Sequence, residues 1–259
     1  MRELADGRIL VQRDGPVTTV TINRPQARNA LDHAAVAGLT EAFRDFDGDA
    51  EQRVAVLTGA GGAFCAGADL KQMAGDVDYI AWAGHPDGPL HRVLSKPVIA
   101  AVAGHAVAGG LGVALWCDIR IVDETAVFGV FCRRYGVPMS DGTTVRLPRL
   151  IGQARALDML ITGRPVNAQD ALDWGLATRL VPAGMALQAA QELARQVAAF
   201  PQVAMRSDRQ SAHEQNGLEL ADALAREMAL AEAAKRQEAQ AGAARFAAGT
   251  GRHGSFGSD

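Results

Sequence analysis

The segments GGAFCAGADLKQM (residues 61–73) and KPVIAAVAGHAVAGGLGVALWCD (residues 96–118) carry the pattern from which the fold is read. In the first, a strand end runs into Ala66-Gly67-Ala68, and Asp69 then opens and caps a short helix. In the second, a buried strand turns at Gly104 and enters a helix through Ala108-Gly109-Gly110. Small residues let a ligand come close to the backbone, and a helix start presents N–H groups that no carbonyl of the helix accepts. Two such amides converging on one point would form an oxyanion hole able to stabilise a thioester enolate. Taken singly, either segment reads as a tight turn with close helix packing. The pair, in this order and separation, is far more specific.

Working outward, residues 9–13 and 17–22 alternate apolar and polar side chains across Asp14-Gly15, the pattern of a β-hairpin. Asp32 is placed to cap a helix whose apolar face is Val36, Leu39, Phe43 and Phe46. Residues 54–58, 97–102, 118–122 and 126–128 read as short strands, with a helix predicted over 107–116. From about Asp141 the pattern turns helical, with segments at 150–161, 167–174 and 185–199 and one last strand at 177–181. Beyond Pro201 the chain is alanine-rich, and Leu220, Leu224 and Met228 form an apolar stripe that needs a partner surface. Strands alternating with helices in the first two-thirds predict an α/β architecture of repeated ββα turns.

Composition narrows the function classes. The chain has 259 residues, 48% of them hydrophobic and 21% charged, enough to bury a sizeable core. A net charge of −3 gives no general basic surface for nucleic acid or an anionic membrane. Cys65, Cys117 and Cys132 are too scattered for a disulfide framework or a metal site, so the expectation is no metal and a reducing, cytoplasmic setting. The charged opening MRELADGRIL lacks an apolar signal region, and the apolar runs are too short for a membrane span.

With both glycine segments on the page, the chain resembles the crotonase (enoyl-CoA hydratase/isomerase) family nearly end to end. The resemblance rests on NRPQARNAL (23–31), LTG (57–59), GGAFCAGADL (61–70), KPVIAAVAGHAVAGG (96–110), CDIRI (117–121), VRLPRLIG (145–152) and LITGRPVNAQDALDWGLATRLVP (160–182). It implies a crotonase-like spiral of ββα units over residues 1–195 and a helical oligomerisation region over 196–259. The assembly would be a homotrimer, or a homohexamer made of two trimers. It also implies an acyl-CoA thioester substrate whose carbonyl oxygen meets the amides of Ala68 and Gly109. The backbone at Ala66 would meet the adenine of coenzyme A. Arg28 matches a basic position that contacts coenzyme A, Lys71 lies near it, and Arg252 in GRHGSF (251–256) matches another. For each of these three cations the plain alternative is a solvated surface side chain. No cofactor is implied beyond the coenzyme A of the substrate itself.

The resemblance breaks at two positions. A hydratase of this family uses two glutamates to activate water and to protonate the α-carbon. Those positions fall on Gly112 and Cys132 here. Glycine has no side chain, and a thiol with a pKa near ~8.5 is mostly protonated at neutral pH. Cys132 reads as a small buried hydrophobe, and Gly112 hints at room for a bulkier acyl group. One carboxylate stands in a useful place: Asp141, in VPMSDGTTVRL (137–147), matches an acidic position of relatives that shift double bonds. Asp141 is therefore read as the single acid–base group, and equally as the cap of the following helix. His105 and Asp118 read as structural, and Arg133 and Arg134 as a solvated pair. The leading expectation is proton transfer or double-bond isomerisation. The alternatives are hydration by an unidentified base, acyl-CoA binding without catalysis, and thioester hydrolysis.

Overall fold

The computed structural model describes residues 1–76, 79 and 93–249. Among these, ten strands are formed: β1 (Arg2–Leu4), β2 (Ile9–Asp14), β3 (Val17–Ile22), β4 (Val54–Gly59), β5 (Val98–Val102), β6 (His105–Val107), β7 (Ile119–Asp123), β8 (Val127–Gly129), β9 (Val166–Asn167) and β10 (Arg179–Val181). Interleaved in the same chain are the helices α1 (His33–Gly48), α2 (Leu70–Gly75), α3 (Gly109–Trp116), α4 (Thr143–Ile151), α5 (Gln153–Thr162), α6 (Ala168–Asp173) and α7 (Ala186–Ala199). The fold is mixed α/β, as expected. By contact the chain divides into a unit of residues 1–198 and a unit of residues 199–259.

In the first unit, seven strands form one sheet in the order β1-β2-β3-β4-β5-β7-β10. The predicted hairpin is β2–β3, closing with Asp14 opposite Val17, and from β3 onward the pairings are parallel. Parallel strands covered on both faces become continuous apolar runs, which is why β4 and β5 read so clearly. In β4, Ala55 and Leu57 face the larger core, shared with Leu39 and Phe43 of α1 and Leu111 of α3. Val54 and Val56 face the other way, onto Ala190, Leu193 and Ala194 of α7. A smaller sheet, β6-β8-β9, completes the unit.

Helix ends follow local chemistry. Asp32 accepts the amide of Ala35 at 2.8 Å and so caps α1, as its position predicts. Asp118 accepts the amide of Val98 at 2.8 Å, a structural role. At the far end of α3, Arg120 is 4% exposed. It donates to the carbonyls of Cys117 (2.6 Å), Ala114 (3.3 Å) and Leu176 (2.7 Å). It thereby satisfies acceptors that a helix C-terminus leaves open. Burial lowers the Arg120 pKa, but a guanidinium remains charged at neutral pH. Arg120→Met should cost about 2–3 kcal/mol, because several buried carbonyls would lose their donor at once. A denaturant midpoint within experimental error of the wild type would refute this role.

Two differences from the sequence reading concern boundaries. The segment read as one helix at 150–161 is two, α4 and α5, broken at Gly152 (φ +80°). The helix read from 107 begins at Gly109, because residues 105–107 are taken up as β6 beside β8.

The second unit contains α8 (Gln202–Glu214), α9 (Leu220–Ala234) and α10 (Gln240–Ala247), with a wider π turn at Lys235–Ala239 before α10. The stripe residues Leu220 and Met228 are 74% and 69% exposed among the described residues. No helix among the described residues is long and apolar enough to cross a membrane.

Candidate active site

The two glycine segments are sewn together by backbone. Cys65 donates to His105 O at 2.9 Å, and Val107 donates back to Cys65 O at 3.0 Å. On the other side, Leu31 donates to Gly67 O at 2.7 Å and accepts from Asp69 at 3.0 Å. This close lacing needs small residues: a Cβ on Gly110 would lie 2.0 Å from Cys65 O. The Asp69 amide is spent on Leu31 O and the Gly67 amide on Cys65 Sγ at 3.4 Å, while that of Ala68 between them is unspent. Gly109, first residue of α3, is likewise without an intrahelical acceptor. Among the described residues neither amide donates to a protein acceptor.

These two amides are neighbours. A Cβ placed on Gly67 would lie 2.6 Å from Gly109 N, and one placed on Gly109 would lie 3.4 Å from Ala68 N. Ala108, which precedes the second amide, adopts φ +49° and ψ −127°. A non-glycine residue held there costs of order 1–3 kcal/mol and persists only where its surroundings dictate it. Here the Ala108 amide is pinned to Gly129 O at 2.9 Å, and that anchor fixes the approach of α3.

Charged groups brace the same loops from outside. Arg24 bridges Asp32 (3.1 Å) and Asp69 (3.0 Å), the caps of α1 and α2, and it also donates to Ala30 O. Burial pushes the Asp69 carboxyl up, but Arg24 and the amides of Gln72 and Lys71 outweigh it and hold the pKa below the usual value. Asn29, fully buried, donates to the carbonyls of Ala60 (2.8 Å) and Ala63 (2.6 Å) and shapes the loop entering the first segment.

The unspent amides open into a pocket lined by Ala66, Ala68, Ala108, Gly109 and Asp141, with an apolar wall that includes Met73, Tyr79, Phe131 and Met139. Asp141 is the carboxylate among its described lining residues, and it is 6% exposed. Its Oδ1 accepts the Thr143 amide at 3.0 Å, and Arg146 donates to its main-chain carbonyl at 3.3 Å. Asp141 thus holds the first amide of α4, whose N-cap position is Gly142 rather than Asp141 itself, and it lines the pocket. Burial raises its pKa above the ordinary carboxylate value, against the opposing pull of the Thr143 amide and Arg146.

This shift has a stability consequence. A raised folded-state pKa means that the folded chain holds the proton more tightly than the unfolded chain. Stability then falls as pH climbs from the ordinary aspartate value of about 3.9 through the raised one. At neutral pH the ionised Asp141 is a burden that Asn, with the same shape, would remove. Asp141→Asn should raise the unfolding free energy by about 0.5–2 kcal/mol at neutral pH. The gain should shrink toward acid, where both side chains are neutral. A destabilised variant with a gap independent of pH would contradict this.

The other candidates fall as follows. Ala66 lines the pocket and donates to Arg28 O at 3.0 Å, so these two coenzyme A candidates are adjacent, with the Arg28 side chain exposed. Lys71 is exposed on α2, while its neighbours Leu70 and Met73 face the pocket. Arg252 lies outside the described residues. Cys132 lines the pocket at 7% exposure, 3.2 Å from Met139 Sδ, with its thiol pKa pushed up by burial. Arg133 and Arg134 are exposed, Arg133 donating to Leu160 O and Arg134 lying over the Phe131 ring. His105 packs edge-on to Phe131.

The space expected at Gly112 is not vacant. A Cβ there would meet the Asp141 carboxyl at 2.4 Å, so the carboxyl fills the volume that a bulkier acyl group was expected to use. The sequence reading also missed the apolar wall. Met73 and Met139 stood inside the quoted segments, but Tyr79 and Phe131 carried no pattern to mark them.

The family described as Enoyl-CoA hydratase/isomerase matches residues 12–250. Enoyl-CoA hydratase EchA19 of Mycobacterium tuberculosis is 40% identical over 197 residues, 73% of this chain and 74% of that protein. The (E)-benzylidenesuccinyl-CoA hydratase of Thauera aromatica is 38% identical over 200 residues, 76% of this chain and 78% of that protein. A crystal structure of an enoyl-CoA hydratase from Mycobacterium tuberculosis superposes with a TM-score of 0.88 at 34% identity, covering 93% of this chain and 95% of the other. Match length, identity and three-dimensional likeness together show that the chain belongs to the enoyl-CoA hydratase/isomerase family.

Proposed function

We propose that the chain moves a proton between carbons of an enoyl-CoA thioester, with Asp141 as the single acid–base group and the amides of Ala68 and Gly109 as the oxyanion hole. The observation that carries the reading is the placement of one buried carboxyl in the pocket into which both unspent amides open. In a 3-enoyl thioester the Asp141 carboxylate removes a proton from C2. The C2–H electron pair forms a C1=C2 bond and the carbonyl π pair moves onto the thioester oxygen. When the carbonyl re-forms, the C1=C2 pair becomes the C2=C3 bond and the C3=C4 pair takes the proton back from the same carboxyl at C4. Between these events negative charge resides on the thioester oxygen, where two fixed N–H dipoles stabilise it. Burial makes Asp141 a stronger base than an ordinary aspartate, which suits it to this task.

The remaining expectations belong to the same proposal. Coenzyme A lies along Ala66 and Arg28, with Lys71 and Arg252 as further cationic contacts. The thioester and the backbone dipoles suffice for activation, without a metal or a second cofactor. Residues 1–195 act as the catalytic core and residues 196–259 as the assembly region of a cytoplasmic homotrimer or homohexamer. The exposed stripe of Leu220, Leu224 and Met228 supports the assembly role.

A second reading has its own support: the relatives' printed activities are hydrations, and the same carboxyl could activate a water instead. Hydration is told apart by water addition to a 2-enoyl-CoA thioester, and binding alone by incubating the protein with butyryl-CoA in deuterium oxide. Deuterium entering the α-carbon supports proton transfer. Binding without exchange would leave an acyl-CoA binder, and release of free thiol would mean hydrolysis.

A further inference from the structure

We infer that Gly112 is the positioning residue for Asp141: the missing side chain at 112 is the berth in which the carboxyl sits. This rests on Asp141 being the acid–base group, and it adds what holds that group in place. A Cβ at 112 would lie 2.4 Å from Asp141 Cγ, 2.5 Å from its Oδ2 and 2.9 Å from its Cβ. These three nearest atoms all belong to the one side chain. Any residue larger than glycine therefore displaces the Asp141 side chain, turning its carboxyl away and shifting its Cβ. On its other side Asp141 is fixed by the Thr143 amide on Oδ1 and by Arg146 on its carbonyl. The carboxyl is thus clamped between the α4 loop and α3, with Oδ2 over Gly112.

Gly109 and Gly112 are three residues apart in α3 and share one helix face. The same helix turn thereby supplies an oxyanion amide and the floor beneath the acid–base group, and this sets the distance between them. Positions 112 and 141 compete for one volume. In this chain glycine at 112 leaves that volume to the carboxylate of the loop before α4. Residue 112 is in this sense a determinant of which reaction the site runs.

The test compares the wild type, Gly112→Ala, Asp141→Asn and the double variant, with 3-hexenoyl-CoA as substrate. Gly112→Ala should lower kcat by about 10²-fold, as displacement of a general acid–base group does. Its affinity for butyryl-CoA should stay unchanged, a split that a loss of general structure would not give. The double variant should be no slower than Asp141→Asn, since both changes remove the same group. A crystal structure of Gly112→Ala should show the Asp141 carboxyl swung out of the pocket. This readout stands even if the wild type moves no double bond, an outcome that would defeat the catalytic reading alone. If Gly112→Ala does not fold, the same change in an Asp141→Gly background should fold, because the clashing atoms are gone. An undisplaced carboxyl in the Gly112→Ala structure, multiplicative kinetic losses, or misfolding in both backgrounds would each overturn the inference.

Discussion

Replacing Asp141 by Asn should slow double-bond migration by about 10²–10⁴-fold, the range that a positioned general acid–base group contributes. The expectation comes from place and chemistry together. The carboxyl is buried, lines the same pocket as the two unspent amides, and is the carboxylate among the described pocket residues. Asn keeps the volume and can still accept the Thr143 amide through its carbonyl oxygen, so the loop before α4 should hold its shape. It cannot carry a proton between C2 and C4. The loss should therefore fall on kcat, with thioester binding preserved. A variant that migrates double bonds at more than a tenth of the wild-type rate would remove Asp141 from the mechanism.

The second large effect is expected at Gly67. Its φ of +92° disfavours any L side chain, and a Cβ there would lie 2.6 Å from Gly109 N. The obstructing atom is backbone, so nothing flexible can move aside. Gly67→Ala must push the two glycine segments apart and spoil the convergence of the amides. The expected loss is about 10²–10³-fold, comparable to removing one oxyanion donor. Gly62→Ala is the control: Gly62 has φ +77° in the same loop, but a Cβ there meets nothing within 4 Å. It carries the backbone penalty without the wedge, and its activity should remain near the wild type. Equal losses in both variants would mean that strain, rather than the amide geometry, accounts for the effect.

Most of the core was legible because the relevant physics is local. β4 and β5 are buried on both faces and so are uninterrupted apolar runs, and Asp32 marks the start of α1 by its own hydrogen bond. Short strands were not legible. β6 and β9 span three and two residues, too few for a period, and exist because β8 lies between them. The break at Gly152 was hidden because helical spacing continues across it. In the site, the glycine segments and Asp141 could be picked out as candidates one by one. That Asp141 occupies the space above Gly112 could not, because it depends on how the loop before α4 folds back over α3. The same gap produced the mistaken expectation of extra room for the acyl group.

Incubation with 2-enoyl-CoA and 3-enoyl-CoA thioesters in ¹⁸O-labelled water, followed by mass spectrometry of every product, separates proton transfer from hydration in one measurement. If Asp141 is the lone acid–base group for proton transfer, double bonds will migrate without ¹⁸O uptake, and migration will slow by about 10²-fold or more in Asp141→Asn. Rapid formation of ¹⁸O-labelled hydroxyacyl-CoA that survives Asp141→Asn would contradict it.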